Sequence, residues 1–230
     1  MSDEAAGPVT FADLGLSPAI VETLAGLGYE TPTPIQAQAI PTLLSGRDVV
    51  GLAQTGTGKT AAFTLPMLQR IDPSASHVQA LVLAPTRELA LQVSEAIRSY
   101  AQSMPGVRVL PVYGGQGYNV QLAGLRRGAH IVIGTPGRVI DHLDRGSLDL
   151  GSLEMLVLDE ADEMLNMGFA EDVDRILTGT PEYKQVALFS ATMPKQIRAI
   201  AKRHLHEPAD ISTPKATTST TTVRQRWIQV

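Results

Sequence analysis

The loop from Ala53 to Thr60, which reads Ala-Gln-Thr-Gly-Thr-Gly-Lys-Thr, constrains the fold of this chain more than any other segment. A short apolar run at 48–53 leads into it and an apolar helical pattern follows it, so the order is strand, glycine loop, helix. Such a loop directs backbone N–H groups at a phosphate, at the positive end of a helix. Lys59 can then reach the β- and γ-phosphates, and the Thr60 hydroxyl can bind Mg²⁺. The residues predicted to bind phosphate are Ala53, Gln54, Thr55, Gly56, Thr57, Gly58, Lys59 and Thr60.

Two other interpretations of this loop fit its residues less well. A tight strand-to-helix turn without a ligand would have no use for the Lys59-Thr60 pair. The spacing from Gly56 to Ala61 also matches a dinucleotide fingerprint, which expects an acidic residue about 20 positions further on, at the end of the second strand. That strand ends in Pro85 with no carboxylate nearby. A nucleoside triphosphate is therefore the better ligand.

Apolar, β-branched runs alternate with helical patterns along the rest of the chain. Such alternation predicts an α/β fold with a mostly parallel sheet and helices on both faces. Ligands of such folds lie outside the carboxyl ends of the strands. We predict strands at 48–53, 80–84, 107–112, 130–134, 154–158 and 185–190, and helices at 35–40, 59–70, 87–102, 117–127, 137–144, 170–178 and 195–204.

Composition excludes several classes of protein. The 230 residues contain no cysteine, so neither disulfides nor a thiolate metal site is possible. No apolar run reaches the roughly 18 residues of a membrane span, and the acidic N-terminus shows no secretory signal, so we expect a cytoplasmic protein. The net charge of −4 does not itself indicate a nucleic-acid partner. Local basic clusters such as Arg126-Arg127 are interpreted as solvated helix faces.

An acidic tetrad, Asp159-Glu160-Ala161-Asp162, follows directly on the apolar run 155–158. Alone it would be a solvated turn, but a buried strand that ends in carboxylates beside a phosphate loop is typical of nucleotide hydrolases. Asp159 would hold Mg²⁺, and Glu160 would orient and deprotonate the attacking water. Another strand ends in Ser190-Ala-Thr192, whose hydroxyls either couple the nucleotide site to the far surface through Asp162 or simply cap the core.

Three further loops carry residues suited to a phosphodiester backbone. Pro85-Thr-Arg87 and Thr135-Pro-Gly137-Arg138 each combine a threonine, a turn residue and an arginine at the start of a predicted helix, and Gly114-Gly115 ends the third strand. Backbone N–H groups at helix starts, with arginine nearby, bind phosphate groups well. Ordinary strand-to-helix connections explain each loop equally well when it is taken alone.

Taken in order, the motifs resemble one family. They resemble the N-terminal RecA-like domain of the DEAD-box ATP-dependent RNA helicases, over about residues 9 to 212. Ala53, where the general phosphate-loop pattern has glycine, is that family's own variant. The motifs that carry the resemblance are Gly28–Gln36, Ala53–Thr60, Pro85–Ala90, Gly114-Gly115, Thr135–Arg138, Asp159–Asp162 and Ser190–Thr192.

The resemblance implies a three-layer RecA-like P-loop domain at 41–212. Residues 1–40 would be a flank with the glutamine motif, and 213–230 a linker to a second RecA-like domain that this sequence does not contain. ATP and Mg²⁺ would be the cofactors, with Gln36 reading adenine. Tyr29 would stack on the base, Thr31 would lie near it, and Phe11 would shape the pocket. The RNA backbone would contact Arg87, Gly114, Gly115, Thr135, Gly137 and Arg138, while Asp162, Ser190 and Thr192 would couple the two domains.

The implied activity is ATP-dependent unwinding of RNA duplexes by the two paired domains. The chain alone would bind nucleotide but hydrolyse it very slowly, because the second domain supplies an arginine finger. An ATP-gated RNA clamp that scaffolds ribonucleoprotein assembly would use the same motifs. A DNA translocase is a third interpretation, which the glutamine motif and the acidic tetrad disfavour. RNA would be bound largely without regard to its base sequence.

Overall fold

The computed structural model describes residues 9–213 and contains one seven-stranded sheet. The strand order is β3-β4-β2-β5-β6-β1-β7, and all the paired strands run parallel. This confirms the predicted parallel sheet. The strands are β1 Val49–Leu52, β2 Ala80–Leu83, β3 Val109–Val112, β4 Ile131–Gly134, β5 Met155–Leu158, β6 Gln185–Ser190 and β7 Ala209–Ser212.

Helices cover both faces of the sheet. Because successive side chains of a strand point to opposite faces, Ala80 and Val82 of β2 pack into one hydrophobic core and Leu81 and Leu83 into the other. Within residues 9–213, no helix is long and apolar enough to cross a membrane. The helices are α1 Pro18–Gly26, α2 Pro34–Leu44, α3 Lys59–Arg70, α4 Arg87–Tyr100, α5 Tyr118–Arg126, α6 Pro136–Asp144, α7 Ala161–Asn166, α8 Ala170–Thr178 and α9 Lys195–His204, with a short 3₁₀ helix at Phe11–Leu14.

The strand order places two groups of loops at the carboxyl edge. β5, β6 and β1 are neighbours, so the glycine loop after β1, the acidic tetrad after β5 and Ser190 at the end of β6 meet at one half of that edge. β2, β4 and β3 are neighbours at the other half, where the loops with Arg87, Thr135 and Gly115 follow. We call these the nucleotide half and the RNA half of the edge, after the ligands that the sequence analysis predicts for them.

Some elements differ from the sequence prediction. β7 was not predicted, because it reads Ala-Asp-Ile-Ser and buries only Ile211 well; an edge strand needs no continuous apolar run. The predicted short helix at 35–40 continues to Leu44 through an exposed Pro41, because Leu43 packs in the core. α1 and α7 were also missed. The predicted linker beyond Thr213 lies outside the described residues.

Candidate nucleotide site and nucleic-acid interface

The glycine loop connects β1 to α3 and needs glycine for its shape. Gly56 and Gly58 have φ values of 82° and 91°, in the left-handed region that disfavours other residues. A Cβ atom on Gly58 would also lie 2.4 Å from Nε2 of Gln36. No side chain caps the N-terminus of α3, so its first N–H groups remain available to an external anion.

Two opposite charges lie buried in this half of the edge, and each has a side-chain atom that lacks a hydrogen bond. Lys59 is 6% exposed and Asp159 is 3% exposed. Within the described residues, neither Nζ of Lys59 nor Oδ1 of Asp159 makes a hydrogen bond. Burial raises the pKa of Asp159 to about 6, although the positive charge of Lys59 opposes the rise. Buried polar groups are costly when unpaired, so this arrangement fits a ligand that supplies both an anion and a cation.

A pocket of about 380 Å³ lies against these residues. Its lining includes Lys59 and Thr60 from the glycine loop and Asp159 and Glu160 from the tetrad. The opposite wall comes from α4, which sequence analysis did not assign to the site. Leu89 and Val93 recur at helical spacing, which by itself indicates only a helix face that packs in the core. The α4 residues that line the pocket are Leu89, Gln92, Val93, Ala96 and Tyr100.

Glu160 stands at the start of α7 in an unusual backbone conformation. Its φ of 51° is in the left-handed region, where non-glycine residues are uncommon. Its Oε1 accepts a hydrogen bond from the Thr55 hydroxyl at 3.2 Å, so the carboxylate is held against the glycine loop. Strained backbone of this kind clusters at functional sites.

Asp162 joins the end of β5 to the end of β6. Its Oδ2 accepts hydrogen bonds from the Thr192 backbone at 3.0 Å and the Thr192 hydroxyl at 2.8 Å. Its own N–H donates to Oγ of Ser190 at 3.2 Å. Burial alone would raise the pKa of Asp162, but these hydrogen bonds outweigh it and the pKa is lowered. The structure thus brings the three predicted coupling residues into direct contact.

Gln36 ties the N-terminal flank to the glycine loop. The side chain is 2% exposed; its Oε1 accepts from the Thr33 N–H at 2.9 Å, and its Nε2 donates to the Gly58 carbonyl at 3.1 Å. The same amide therefore caps α2 and fixes the loop. Gln36 also lines the pocket, and the family resemblance implies that it reads adenine there.

The predicted base-binding aromatics form a cluster beside the pocket. Tyr29 packs edge-on against Phe11 and Tyr100, with ring centroids 6.4 Å and 5.8 Å away. Its hydroxyl lies 2.9 Å from that of Tyr100. Phe11 is buried behind Tyr29 and does not line the pocket, and Thr31 is exposed outside it.

Three residues of the glycine loop also lie outside the pocket lining. Ala53 is buried at the end of β1, whereas Gln54 is exposed. The Thr57 hydroxyl donates to the Gln54 carbonyl at 2.7 Å, which closes the loop on itself. These residues shape the loop rather than face its interior.

In the RNA half, Arg87 is exposed at the first position of α4. Its guanidinium carbon lies 5.0 Å from the Tyr113 ring centroid, a cation–π arrangement. Gly114 and Gly115 are exposed, and a Cβ on Gly115 would be 3.8 Å from Nη1 of Arg87. The loops after β2 and β3 therefore meet across the end of β4.

Arg138 is held by the protein itself. Its Nη1 donates to Oε1 of Gln121 at 3.0 Å and to the Gln116 carbonyl at 3.3 Å. Thr135 precedes α6 and donates its N–H to the Val112 carbonyl at 3.1 Å. Gly137 lies in the first turn of that helix, partly exposed.

Gln121 is the residue at this interface that sequence analysis missed. It is fully buried, and its Nε2 donates to the Tyr113 carbonyl at 2.9 Å while its Oε1 serves Arg138. Nε2 of His142 lies 2.8 Å from the same Oε1, so this nitrogen carries the proton. No local pattern could have revealed a network that joins α5, α6 and the loop after β3.

The parallel α/β fold, the glycine loop after β1 and the acidic tetrad after β5 are typical of nucleotide-binding α/β domains. Residues 33–200 match the family model described as DEAD/DEAH box helicase. The match covers more than half of the sequence, and the chain belongs to that family.

Relatives and solved structures agree with this assignment. The chain is 59% identical to ATP-dependent RNA helicase DeaD of Mycobacterium tuberculosis over 226 residues, which is 98% of this chain and 40% of that protein. The chain is 58% identical to the protein of the same name from Escherichia coli, over 95% of this chain and 35% of that protein. The chain thus spans well under half of these relatives.

Two solved structures confirm the RecA-like fold. The first is a DEAD box protein from Methanococcus jannaschii, with a TM-score of 0.85 and 41% identity over 88% of this chain and 55% of that one. The second is a hypothetical ATP-dependent RNA helicase from Sulfolobus tokodaii, with a TM-score of 0.81 and 38% identity over 86% of this chain and 57% of that one.

Proposed function

We propose that this chain is the ATP-binding N-terminal half of an ATP-dependent RNA helicase. The observation that carries the proposal is the buried pair Lys59 and Asp159 beside an uncapped helix start; within the described residues, Nζ of Lys59 and Oδ1 of Asp159 make no hydrogen bond. Triphosphate and Mg²⁺ are the ligand and ion whose charges match them. The names of the curated relatives favour a helicase over a clamp or a DNA translocase. A cytoplasmic location, where ATP and RNA are both present, is part of the same proposal.

Each residue of the nucleotide half has a role in this proposal. Lys59 and the N–H groups at the start of α3 bind the phosphates, and Thr60 and Asp159 hold Mg²⁺. Bound Mg²⁺ neutralises the charge that develops on the phosphate oxygens. Glu160, held by Thr55, orients the attacking water and accepts its proton. Gln36 binds the adenine edge with the part of its amide that Thr33 and Gly58 leave free, and Tyr29 packs against the base.

The RNA half binds the sugar-phosphate backbone in this proposal. Arg87 and the backbone of Gly114, Gly115 and Gly137 contact phosphates, together with Thr135. Arg138 acts mainly by holding the Gln116 carbonyl and hence the glycine pair. Contacts of this kind position a strand without reading its bases, so binding is largely independent of sequence.

Turnover and unwinding need the second RecA-like domain in this proposal. An arginine finger is worth about 10³–10⁵ in rate, and the arginines of the RNA half are engaged elsewhere. The contacts of Asp162 with Ser190 and Thr192 link the nucleotide half to the surface where that domain would close. Residues 1–230 alone should therefore bind ATP but neither hydrolyse it rapidly nor separate strands.

The decisive variant is Lys59→Ala, with Lys202→Ala, an exposed lysine of α9, as the matched control. We expect Lys59→Ala to lose ATP affinity by about 10-fold or more, since hydrogen bonds to charged groups contribute about 1.5–3 kcal/mol. Calorimetry measures the affinity and circular dichroism verifies the fold. Unchanged affinity would refute the nucleotide site.

The activity of the whole protein needs a second experiment. In the full-length protein, Glu160→Gln should keep Mg·ATP binding and abolish RNA-stimulated hydrolysis and strand displacement. An RNA clamp would retain RNA binding in ATP but show no strand displacement even in the wild type. A DNA translocase would be stimulated by DNA rather than RNA.

A further inference from the structure

A second pocket, lined by two arginines, lies beside the RNA half, between α5 and the end of α6. It has a volume of about 520 Å³ and includes Tyr118, Arg126 and Arg145 in its lining, with no carboxylate among the lining residues. Both arginines are exposed. Within residues 9–213, neither of their side chains makes a hydrogen bond or an ion pair to the protein; Arg145 only packs on the Tyr118 ring at 4.6 Å.

The nearest carboxylates of α6 are committed to other arginines. Asp141 faces Nε of Arg138 at 3.7 Å, and Asp144 is paired with Arg175 of α8. Arg126 and Arg145 therefore keep their donors free for an external anion. A guanidinium that stacks on an aromatic ring still presents its N–H groups in its own plane, which suits a phosphate.

Tyr118 fixes the position of this pocket relative to the predicted RNA loops. Its ring stacks on His142 with centroids 4.5 Å apart, and its hydroxyl lies 2.9 Å from that of Ser147. Burial lowers the pKa of His142, and the nearby Arg138 lowers it further, which favours the neutral form of the stacked imidazole. The Arg138 guanidinium carbon lies 6.0 Å from the Tyr118 ring centroid. The Tyr118 ring, which lines this pocket, thus also lies close to Arg138 of the RNA half.

We propose that this pocket, formed by Tyr118, Arg126 and Arg145, is a further RNA subsite that binds phosphates of the strand beyond the loops after β2, β3 and β4. Arg126 and Arg145 bind the phosphates, and Tyr118 holds Arg145 in place. The inference rests on the proposed RNA-binding function and extends it. It predicts that a strand long enough to pass the loops gains contacts that a shorter strand lacks.

The test compares oligouridylates of about six and about twelve nucleotides, lengths within the usual range of single-strand sites. Fluorescence anisotropy at several salt concentrations measures their affinity for residues 1–230. The double variant Arg126→Gln/Arg145→Gln is compared with Arg127→Gln/Lys202→Gln, which changes the net charge equally at exposed residues outside the pocket. Thermal unfolding checks that both variants fold.

We expect the wild type to bind the longer strand more tightly than the shorter one. The pocket variant should lose this advantage, on the order of tenfold at about 0.1 M salt, and its slope of log K against log salt should fall in magnitude by about 1.4, the value for two single-strand contacts. Affinity for the shorter strand should match that of the control variant. Equal affinities and slopes of the two variants for the longer strand would overturn the inference.

Two further measurements show which proposal has failed if the expected result is not obtained. Arg87→Gln should weaken both strands; if it does and the pocket variant does not, the subsite is refuted and the RNA function stands. If the wild type binds neither strand, both are refuted. Inorganic phosphate is titrated by calorimetry: binding that depends on Arg145 while RNA affinity is unchanged would assign the pocket to a free anion and also overturn the proposal.

Discussion

The nucleotide half and the RNA half of the carboxyl edge satisfy their charged groups in opposite ways. In the nucleotide half, Nζ of Lys59 and Oδ1 of Asp159 are buried and make no hydrogen bond within residues 9–213. In the RNA half, buried Gln121 accepts hydrogen bonds from Arg138 and His142 and donates one to the Tyr113 carbonyl. The buried charges of the nucleotide half lack hydrogen-bond partners that a bound ligand can supply. The polar groups around Gln121 are already hydrogen-bonded to one another without a ligand. We infer that nucleotide binding stabilises the fold, while the RNA half acts as a rigid platform.

The largest effect is expected from Gln121→Leu, which would break the network of the RNA half. The change leaves the Tyr113 carbonyl and Nε2 of His142 without their partner and removes one of the two hydrogen bonds of Arg138 Nη1. Each unsatisfied group costs about 1–3 kcal/mol, so we expect a loss of about 3 kcal/mol or more. Urea unfolding measures the loss. RNA affinity should fall while ATP affinity is retained in the folded protein.

The matched change in the nucleotide half is Lys59→Met, which removes a buried charge that makes no hydrogen bond and keeps an apolar stem. Without nucleotide it should cost less stability than Gln121→Leu, because it leaves no hydrogen-bond partner unsatisfied and removes only the attraction between Lys59 and Asp159, which the cost of burying the two charges opposes. A large loss of stability in Lys59→Met, or none in Gln121→Leu, would contradict the contrast between the two halves.

The raised pKa of Asp159 makes stability in the nucleotide half depend on pH. The folded-state pKa is about 6, above the ordinary 3.8. The folded protein therefore keeps a proton that the unfolded chain has released, and the associated stability is complete below the ordinary pKa and lost as pH rises through about 6. Across that window the wild type should lose about 3 kcal/mol relative to Asp159→Asn. Urea unfolding at pH 4 and at pH 7 measures the difference; parallel pH curves would show that Asp159 is not protonated by burial.

Much of the nucleotide half could be predicted from the sequence, because its loops carry local sequence patterns. Continuous apolar strands placed the glycine loop and the tetrad at one edge, and Lys59 and Asp159 indeed meet there. The wall formed by α4 was missed, since Gln92 and Ala96 carry no motif and an apolar helix face is expected in any core. The Gln121 network was missed for a related reason: a single glutamine within a helix gives no sign that it is buried and bonded to two other segments, α6 and the loop after β3.

Gln36→Ala tests whether Gln36 recognises the adenine base or only supports the glycine loop. Removal of the amide frees the Gly58 carbonyl and the Thr33 N–H, so every nucleotide should bind somewhat less well. If the amide also binds adenine, ATP should lose about 1–3 kcal/mol more than GTP, the usual discrimination of a bidentate amide. Competition binding with Gln38→Ala, an exposed residue of the same helix, as the control decides this. Equal losses for ATP and GTP would leave Gln36 a purely structural role.

The smallest effect is expected from Tyr100→Phe, which removes one hydroxyl between the flank and α4. The Tyr29 hydroxyl, 2.9 Å away, would lose this partner but remains near solvent because Tyr29 is 38% exposed. A hydrogen bond of this kind contributes about 1 kcal/mol, so the melting temperature should fall by about 2–4 °C. ATP affinity should fall by up to about fivefold, since Tyr29 is held less firmly beside the pocket. Tyr183→Phe, at a residue 78% exposed, is the control and should change neither quantity. RNA affinity without nucleotide should be unaffected by Tyr100→Phe, because Arg87 lies at the other end of α4; a loss of RNA affinity would show that this helix transmits changes between the two halves even without ATP.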